Sequence, residues 1–301
     1  MVQLQRPSVV YMNGRVISWD EATVHVSSEA LMRGVSVFEG IKGYWRHDSR
    51  VFSLLALREH FDRLRRSAHL LHLPFATSYA DFGRACTDLA KRLLINEKDL
   101  WLRTTLFAVE GHWGEGTVTD LVILGYHQDK KRPEAVDVGV STWQRPGDAA
   151  LPARIKSAAN YQVGRLARIE ARRQGLSDMV LLNQWGRVAE ASGSCVVLVR
   201  NGVIITPPSS EGCLESITVE IIGKLCASLD LPFERRPIDR TELYVADELC
   251  LAGTLAELVP VRRVESSILP EHTPVFGRLA NEFWDCVRGV REHPGIRLTP
   301  V

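Results

Sequence analysis

The sequence predicts a mixed α/β fold of the α+β kind, divided into a small N-terminal domain (residues 1–127), a linker (128–135) and a larger C-terminal domain (136–301). Three observations carry this expectation. At about 150 residues per domain, 301 residues provide for two. Strand signals and helical apolar stripes alternate along the chain, which mixes the two element types. The stretch QDKKRPE, Gln128 to Glu134, is charged, holds a proline and offers no apolar side chain to a core, so the chain is expected to leave one core there and enter another.

The elements follow in order. Val9 to Met12 and Arg15 to Ser18 flank Asn13-Gly14, whose tolerance of positive φ suits a two-residue hairpin turn. Leu57, Phe61, Leu64, Ala68 and Leu71 then form one apolar stripe, a helix for which Ser53 is a candidate N-cap. A second helix is expected from Ser78, with Phe82, Ala85, Leu89 and Leu93 in the same rhythm. Strands at Leu100–Val109 and Leu121–Tyr126 are read as separated by a glycine-rich loop, Gly111 to Gly116. In the second half a strand at Val136–Thr142 leads to a helix from near Asn160 that stops at Gly175, a residue suited to the left-handed position after a helix. Strands at Met179–Asn183, Cys195–Val199 and Val203–Ile205 come next, the last two joined by Asn201-Gly202. Helices near Thr218–Leu229 and Val275–Val290 enclose a strand at Glu248–Ala252.

Composition narrows the function. With 45% hydrophobic and 24% charged residues the chain is ordinary globular material. Its net charge of +1 gives no global field for nucleic acid or an anionic membrane. The N-terminus shows no charged-then-apolar secretory pattern, and no apolar run approaches the ~18 residues of a membrane span. Six cysteines without a C-x-x-C pair suggest reduced thiols, so a cytoplasmic location is expected. The chain has no phosphate-binding glycine loop of the nucleotidase or dinucleotide kind, no H-E-x-x-H and no G-x-S-x-G. His69 and His72 stand one helical turn apart but lack a third ligand nearby in sequence, so no metal is expected.

What remains is a set of dispersed stretches: VSVFEG at Val35–Gly40, REHFDRL at Arg58–Leu64, KSAANY at Lys156–Tyr161, AEASG at Ala189–Gly193, Thr206-Pro207-Pro208, Ile217-Thr218, LYVADE at Leu243–Glu248 and GTLAE at Gly253–Glu257. Each alone is weak. In their order and spacing the chain resembles the fold-type IV (class IV) pyridoxal-phosphate enzymes, and among them the branched-chain amino acid aminotransferases. The resemblance implies a two-domain architecture with the cofactor between the domains, pyridoxal 5'-phosphate as that cofactor, amino acids and 2-oxo acids as substrates with glutamate as one partner, and a homodimer or higher homo-oligomer.

It also implies roles for residues. Lys156 is the expected catalytic lysine, since the cofactor's aldehyde must condense with an amine that later carries a proton. By spacing alone a lysine is usually a solvated surface charge; the tyrosine five residues on, Tyr161, sets this one apart and is expected at the cofactor's phenolic oxygen. Glu190 is expected beside the pyridine nitrogen, where a carboxylate keeps the ring protonated. Arg63, the helix start at Ile217 and Thr218, and Thr254 are the expected phosphate donors. Phe38, Arg33, Trp101, Arg103 and Leu255 fall at substrate-facing positions.

Several of these depart from the family's pattern. Arg33 replaces an aromatic hydroxyl residue, Trp101 a second tyrosine that serves the substrate carboxylate, and Lys42 an arginine. An indole N–H does not reach where a phenol does, so an altered substrate pocket is expected. Glu215-Ser216 replaces a Pro-Gly, bringing a negative charge near the expected phosphate donors, and Cys195 replaces an asparagine. Two other readings remain open on these residues: a lyase similar to aminodeoxychorismate lyase, and a binding protein that keeps the fold without turnover.

Overall fold

The structure, a computed structural model, describes residues 5–48 and 50–301. The chain forms two compact units: one comprises 1–131, 155–159 and 286–301, the other 132–154 and 160–285.

In the first unit, β1 (Val9–Met12) and β2 (Arg15–Ser18) form the expected hairpin, with Asn13 at φ +46° and Gly14 at +89°. A short helix, α1 (Glu29–Arg33), leads into β3 (Ser36–Trp45) and β4 (Phe52–Leu55). Helix α2 (Leu57–Leu70) follows, and its start corrects the sequence reading. Ser53 lies inside β4, and Ala56 occupies the N-cap at φ +52°, because the strand runs directly into the helix with no room for a polar cap. Helix α3 (Tyr79–Leu93) is capped as expected, with Ser78 accepting a hydrogen bond from the Asp81 N–H. The glycine-rich loop is also corrected. Strands β5 (Lys98–His112) and β6 (Glu115–Asp129) run on to a tight turn at Trp113-Gly114, with bulges near Ala108 and Glu110 that take up the extra residues. Residue alternation in β3 sends Val37 and Ile41 into one core with Phe61 and Leu64 of α2 and Phe82 and Leu89 of α3.

The second unit begins with β7 (Val136–Gln144), then α4 (Tyr161–Arg173), β8 (Asp178–Leu182), β9 (Val188–Ala191), β10 (Cys195–Arg200) and β11 (Val203–Thr206). Helix α5 (Ile217–Ser228), β12 (Phe233–Arg235), β13 (Glu248–Gly253), β14 (Glu257–Val264), β15 (Ser267–Ile268) and α6 (Pro274–Val287) complete it. Its strands follow the order β12-β11-β10-β13-β14-β7-β8-β9, with β15 on β14. Val180, Val196, Leu198, Leu249 and Val261 fill its main core, while Ala167 and Ala171 of α4 pack on Met179 and Leu181.

The last residues rejoin the first unit. There β16 (Leu298–Pro300) pairs with β4 and ends the order β16-β4-β3-β5-β6-β1-β2.

Candidate active site

In the first unit, residues 155–159 run beside the open half of β3. The Phe38 N–H donates to the Lys156 carbonyl at 2.9 Å, the Ala158 N–H to the Ser36 carbonyl at 3.2 Å, and the Lys156 N–H to Ser67 Oγ at 3.1 Å. Main-chain pairing thus fixes the lysine beside Phe38. Its Nζ lies 4.9 Å from the centre of the Phe38 ring, and the Arg103 guanidinium lies 3.4 Å from the same centre.

The sheet register explains the company. Gly40 opposes Arg103 and Lys42 opposes Trp101, so Phe38, Gly40 and Lys42 share one face with Trp101 and Arg103. Trp101 packs on Tyr126 with ring centres 5.3 Å apart. Its Nε1 is buried without an acceptor among the described residues, and a Cβ on Gly40 would sit 2.6 Å from it, so the indole requires glycine there. Arg33, by contrast, ends α1 paired with Glu29 at 2.5 Å and lies over the ring of Trp113.

The opposite face of β3 carries Glu39, fully buried among apolar neighbours. Arg63 of α2 answers it with Nε on Oε1 at 2.6 Å and Nη2 on Oε2 at 2.8 Å, and His60 Nδ1 lies 2.7 Å from Oε2. Burial pushes the Glu39 carboxyl up, but the Arg63 charge and hydrogen bonds and the His60 bond outweigh it, leaving the group well below the usual carboxylate range. Burial also drives the His60 pKa down, against a partial rise from Glu39. An ionised carboxylate only accepts, so His60 Nδ1 carries the hydrogen. Neither Glu39 nor His60 has an expected role from the sequence, although a charged residue in phase with Val37 and Ile41 signals that a buried partner must exist.

In the second unit, Tyr161 is the first residue of α4, after Asn160. Glu190 stands in β9 opposite Leu181. The Leu214 N–H donates to its Oε2 at 3.1 Å, and Arg145 Nε lies 3.2 Å from its Oε1. Arg145 had no motif to mark it. Ile217 and Thr218 open α5, where Ser216 accepts the Val219 N–H; the first N–H groups of a helix lack intrahelical acceptors and suit an anion. Thr254 and Leu255 occupy the turn between β13 and β14, with Leu255 exposed. Glu215 forms an ion pair with Arg154 at 3.0 Å, which offsets the negative charge expected to disturb this region. Cys195 is buried in β10, its Sγ directed at the Leu214 carbonyl. Among the described residues no group of three His, Cys, Asp or Glu could hold a metal, and no helix is long and apolar enough to cross a membrane.

The first unit thus offers a lysine fixed by backbone pairing and a guanidinium, and the second a carboxylate held by a backbone N–H together with helix-terminal and hydroxyl donors. The chain belongs to the class IV aminotransferase family, whose profile matches residues 36–264. Within that family it is similar to the branched-chain-amino-acid aminotransferase of Salmonella typhimurium, 32% identical over 99% of this chain and 98% of that one. It is also similar to the pyridoxal-phosphate holo-form of the branched-chain aminotransferase from Thermobaculum terrenum, with TM-score 0.89, 31% identity and coverage of 97% and 98%. A third likeness is a branched-chain aminotransferase complexed with N-(5'-phosphopyridoxyl)-L-glutamate, with TM-score 0.89, 26% identity and coverage of 96% and 97%. The protein is accordingly a pyridoxal 5'-phosphate-dependent transaminase of the branched-chain-like kind. Its donor set fits that cofactor in kind: an amine for an aldehyde, a carboxylate for a ring nitrogen, and N–H and O–H donors for a phosphate.

Proposed function

We propose that this transaminase exchanges an amino group between glutamate and a 2-oxo acid, and that its choice of the second partner departs from that of its branched-chain relatives. The observation that carries the departure is Trp101, whose buried indole N–H has no acceptor among the described residues on a face shared with Arg103 and Lys42. Leaving such a donor unpaired costs about 1–3 kcal/mol, which an oxygen-bearing substrate offsets and a bare alkyl chain does not. The phosphopyridoxyl-glutamate adduct carried by one relative supports glutamate as the common partner.

In this reading pyridoxal phosphate, when bound, supplies the electron sink for charge at the substrate α-carbon. Lys156 carries the transferred proton on Nζ. Tyr161 would donate toward the phenolic oxygen, Glu190 would accept from the protonated ring nitrogen, and Arg63, Ile217, Thr218 and Thr254 would hold the phosphate. Phe38, Arg103, Trp101, Leu255 and Arg33 face the substrate. The Glu29 pair of Arg33 gives the larger share of the altered specificity to Trp101. Residence in the cytoplasm and assembly as a homodimer complete the proposal.

The test is a panel of amino donors read by the spectrum of the cofactor, on wild type and on Arg33→Tyr with Trp101→Tyr. Polar or acidic donors should lead in the wild type, and the double variant should shift relative kcat/KM toward leucine or isoleucine by about 1–3 kcal/mol. A wild type that already prefers leucine strongly, or an unchanged ranking in a well-folded double variant, removes the altered pocket.

A further inference from the structure

The second unit has a residue that ties together three of the proposed cofactor contacts. Arg145, directly after β7, is almost fully buried, with 4% of its side chain exposed. Its Nη1 donates to the Asn160 carbonyl at 2.9 Å, on the residue that precedes Tyr161 and α4. Its Nε donates to the Gly212 carbonyl at 3.1 Å and stands 3.2 Å from Glu190 Oε1. Two residues beyond Gly212, the Leu214 N–H holds the other oxygen of Glu190, and α5 begins three residues after that. One guanidinium therefore fixes the carboxylate, the entry to α4 and the segment that leads to Thr218.

The way it does so differs from three other arginine pairs whose acid is buried. Arg63 grips Glu39 with two bonds at 2.6 and 2.8 Å, Arg288 grips Asp99 with two at 2.6 Å, and Arg187 grips Glu211 with two at 2.7 and 2.9 Å. Those are fork-to-fork pairs that occupy both oxygens of the acid. Arg145 spends its hydrogen bonds on backbone carbonyls and approaches Glu190 with Nε, side-on, at 3.2 Å. A carboxylate accepts about four hydrogen bonds, so with one N–H and one side-on cation Glu190 keeps acceptor capacity that a bidentate partner would consume. The charge beside it also spares the chain the cost of a partly buried acid with no counter-ion.

We infer that Arg145 is a positioning residue for Glu190, setting the plane of its carboxylate toward the cofactor's ring nitrogen while leaving that acceptor open. The inference rests on the proposed role of Glu190. Arg145 touches neither substrate nor reacting atoms in this role; it acts through the acid.

The experiment compares wild-type holoenzyme with Glu190→Gln, Arg145→Met, Arg145→Lys and the double variant Arg145→Met/Glu190→Gln. Two quantities are read: the pH midpoint at which the bound cofactor's visible absorption band changes, and the cofactor affinity from titration of the apoenzyme. Arg145→Met should move the midpoint in the same direction as Glu190→Gln and weaken cofactor binding about tenfold, as the loss of a charge-assisted contact does. The double variant should match Glu190→Gln in midpoint, since a residue acting through the acid has nothing left to position. Arg145→Lys supplies one ammonium but cannot hold the acid and both carbonyls, so its midpoint should fall between wild type and Glu190→Gln. This decides the matter if the methionine variant does not fold. A wild-type midpoint in either Arg145 variant with a lowered melting temperature makes Arg145 a structural brace only and overturns the inference, as does a double variant whose shift is the sum of the single ones. A Glu190→Gln enzyme with the wild-type midpoint overturns the role of Glu190 itself.

Discussion

Glu39 shows what one residue can demand of its neighbours. A carboxylate on the apolar face of β3 forces Arg63 and His60 into place, and both Glu39 and His60 tie stability to pH. The folded pKa of each lies below its ordinary value, so each contributes stability that is lost on acidification: from about 6.5 downward for His60, where the unfolded chain takes a proton the folded one refuses, and from about 4.5 downward for Glu39. Thermal stability should therefore fall between pH 7 and 5, and His60→Gln should flatten that part of the profile. Identical slopes in the two proteins would remove His60 as the source. Lys156 gives a second prediction at this scale. Borohydride reduction of the loaded enzyme and peptide mass mapping should find the cofactor on Lys156, and an unmodified Lys156 at full occupancy would sink the assignment. The stretches around Lys156 and Glu190 stand out in the sequence; Arg145 has no such stretch. Its meaning lies in three partners, Asn160, Glu190 and Gly212, which sequence distance hides.

Elements were legible where local chemistry decides them. The Asn-Gly turns at Asn13 and Asn201 and the apolar stripes of α2 and α3 announce themselves, because positive φ and a 3.6-residue period are local properties. The continuation of β5 and β6 through their glycines was hidden, since cross-strand pairing, not local preference, holds that hairpin together. Strand β14 was unread for a related reason: Pro260, Arg262 and Arg263 mask its alternation, and pairing with β13 and β7 sustains it. Helix α4 supplies the prediction at this scale. Gly164 lies inside it despite the cost of glycine in a helix, and a Cβ there would stand 2.1 Å from the Ser192 carbonyl oxygen. Gly164→Ala should destabilise the fold by about 2 kcal/mol, as overpacking outweighs the gain in helix propensity. Because Ser192 lies two residues beyond Glu190, cofactor affinity should fall with it. Unchanged melting and cofactor titration curves would show that α4 can simply step away.

At the scale of the whole molecule, α1 and the segment before it leave Val24, Val26, Leu31 and Met32 exposed, a concentration of apolar side chains that a second copy would cover. Sedimentation equilibrium should return twice the 33.7 kDa of one chain, and a concentration-independent single-chain mass would end the homodimer proposal. The mixed fold class was legible in the sequence as alternating signals. The return of residues 286–301 to the first unit was not, since β16 is three residues whose only mark is the partner strand β4. That return sets an order of events during synthesis. The segment that forms β16 follows the whole second unit in the chain, so during synthesis β4 waits with its outer hydrogen-bonding row uncovered until those residues emerge, and the lysine at 156 reaches β3 only after every strand of that sheet except β16 has been made. The unit begun first is thus closed only after the other has been made.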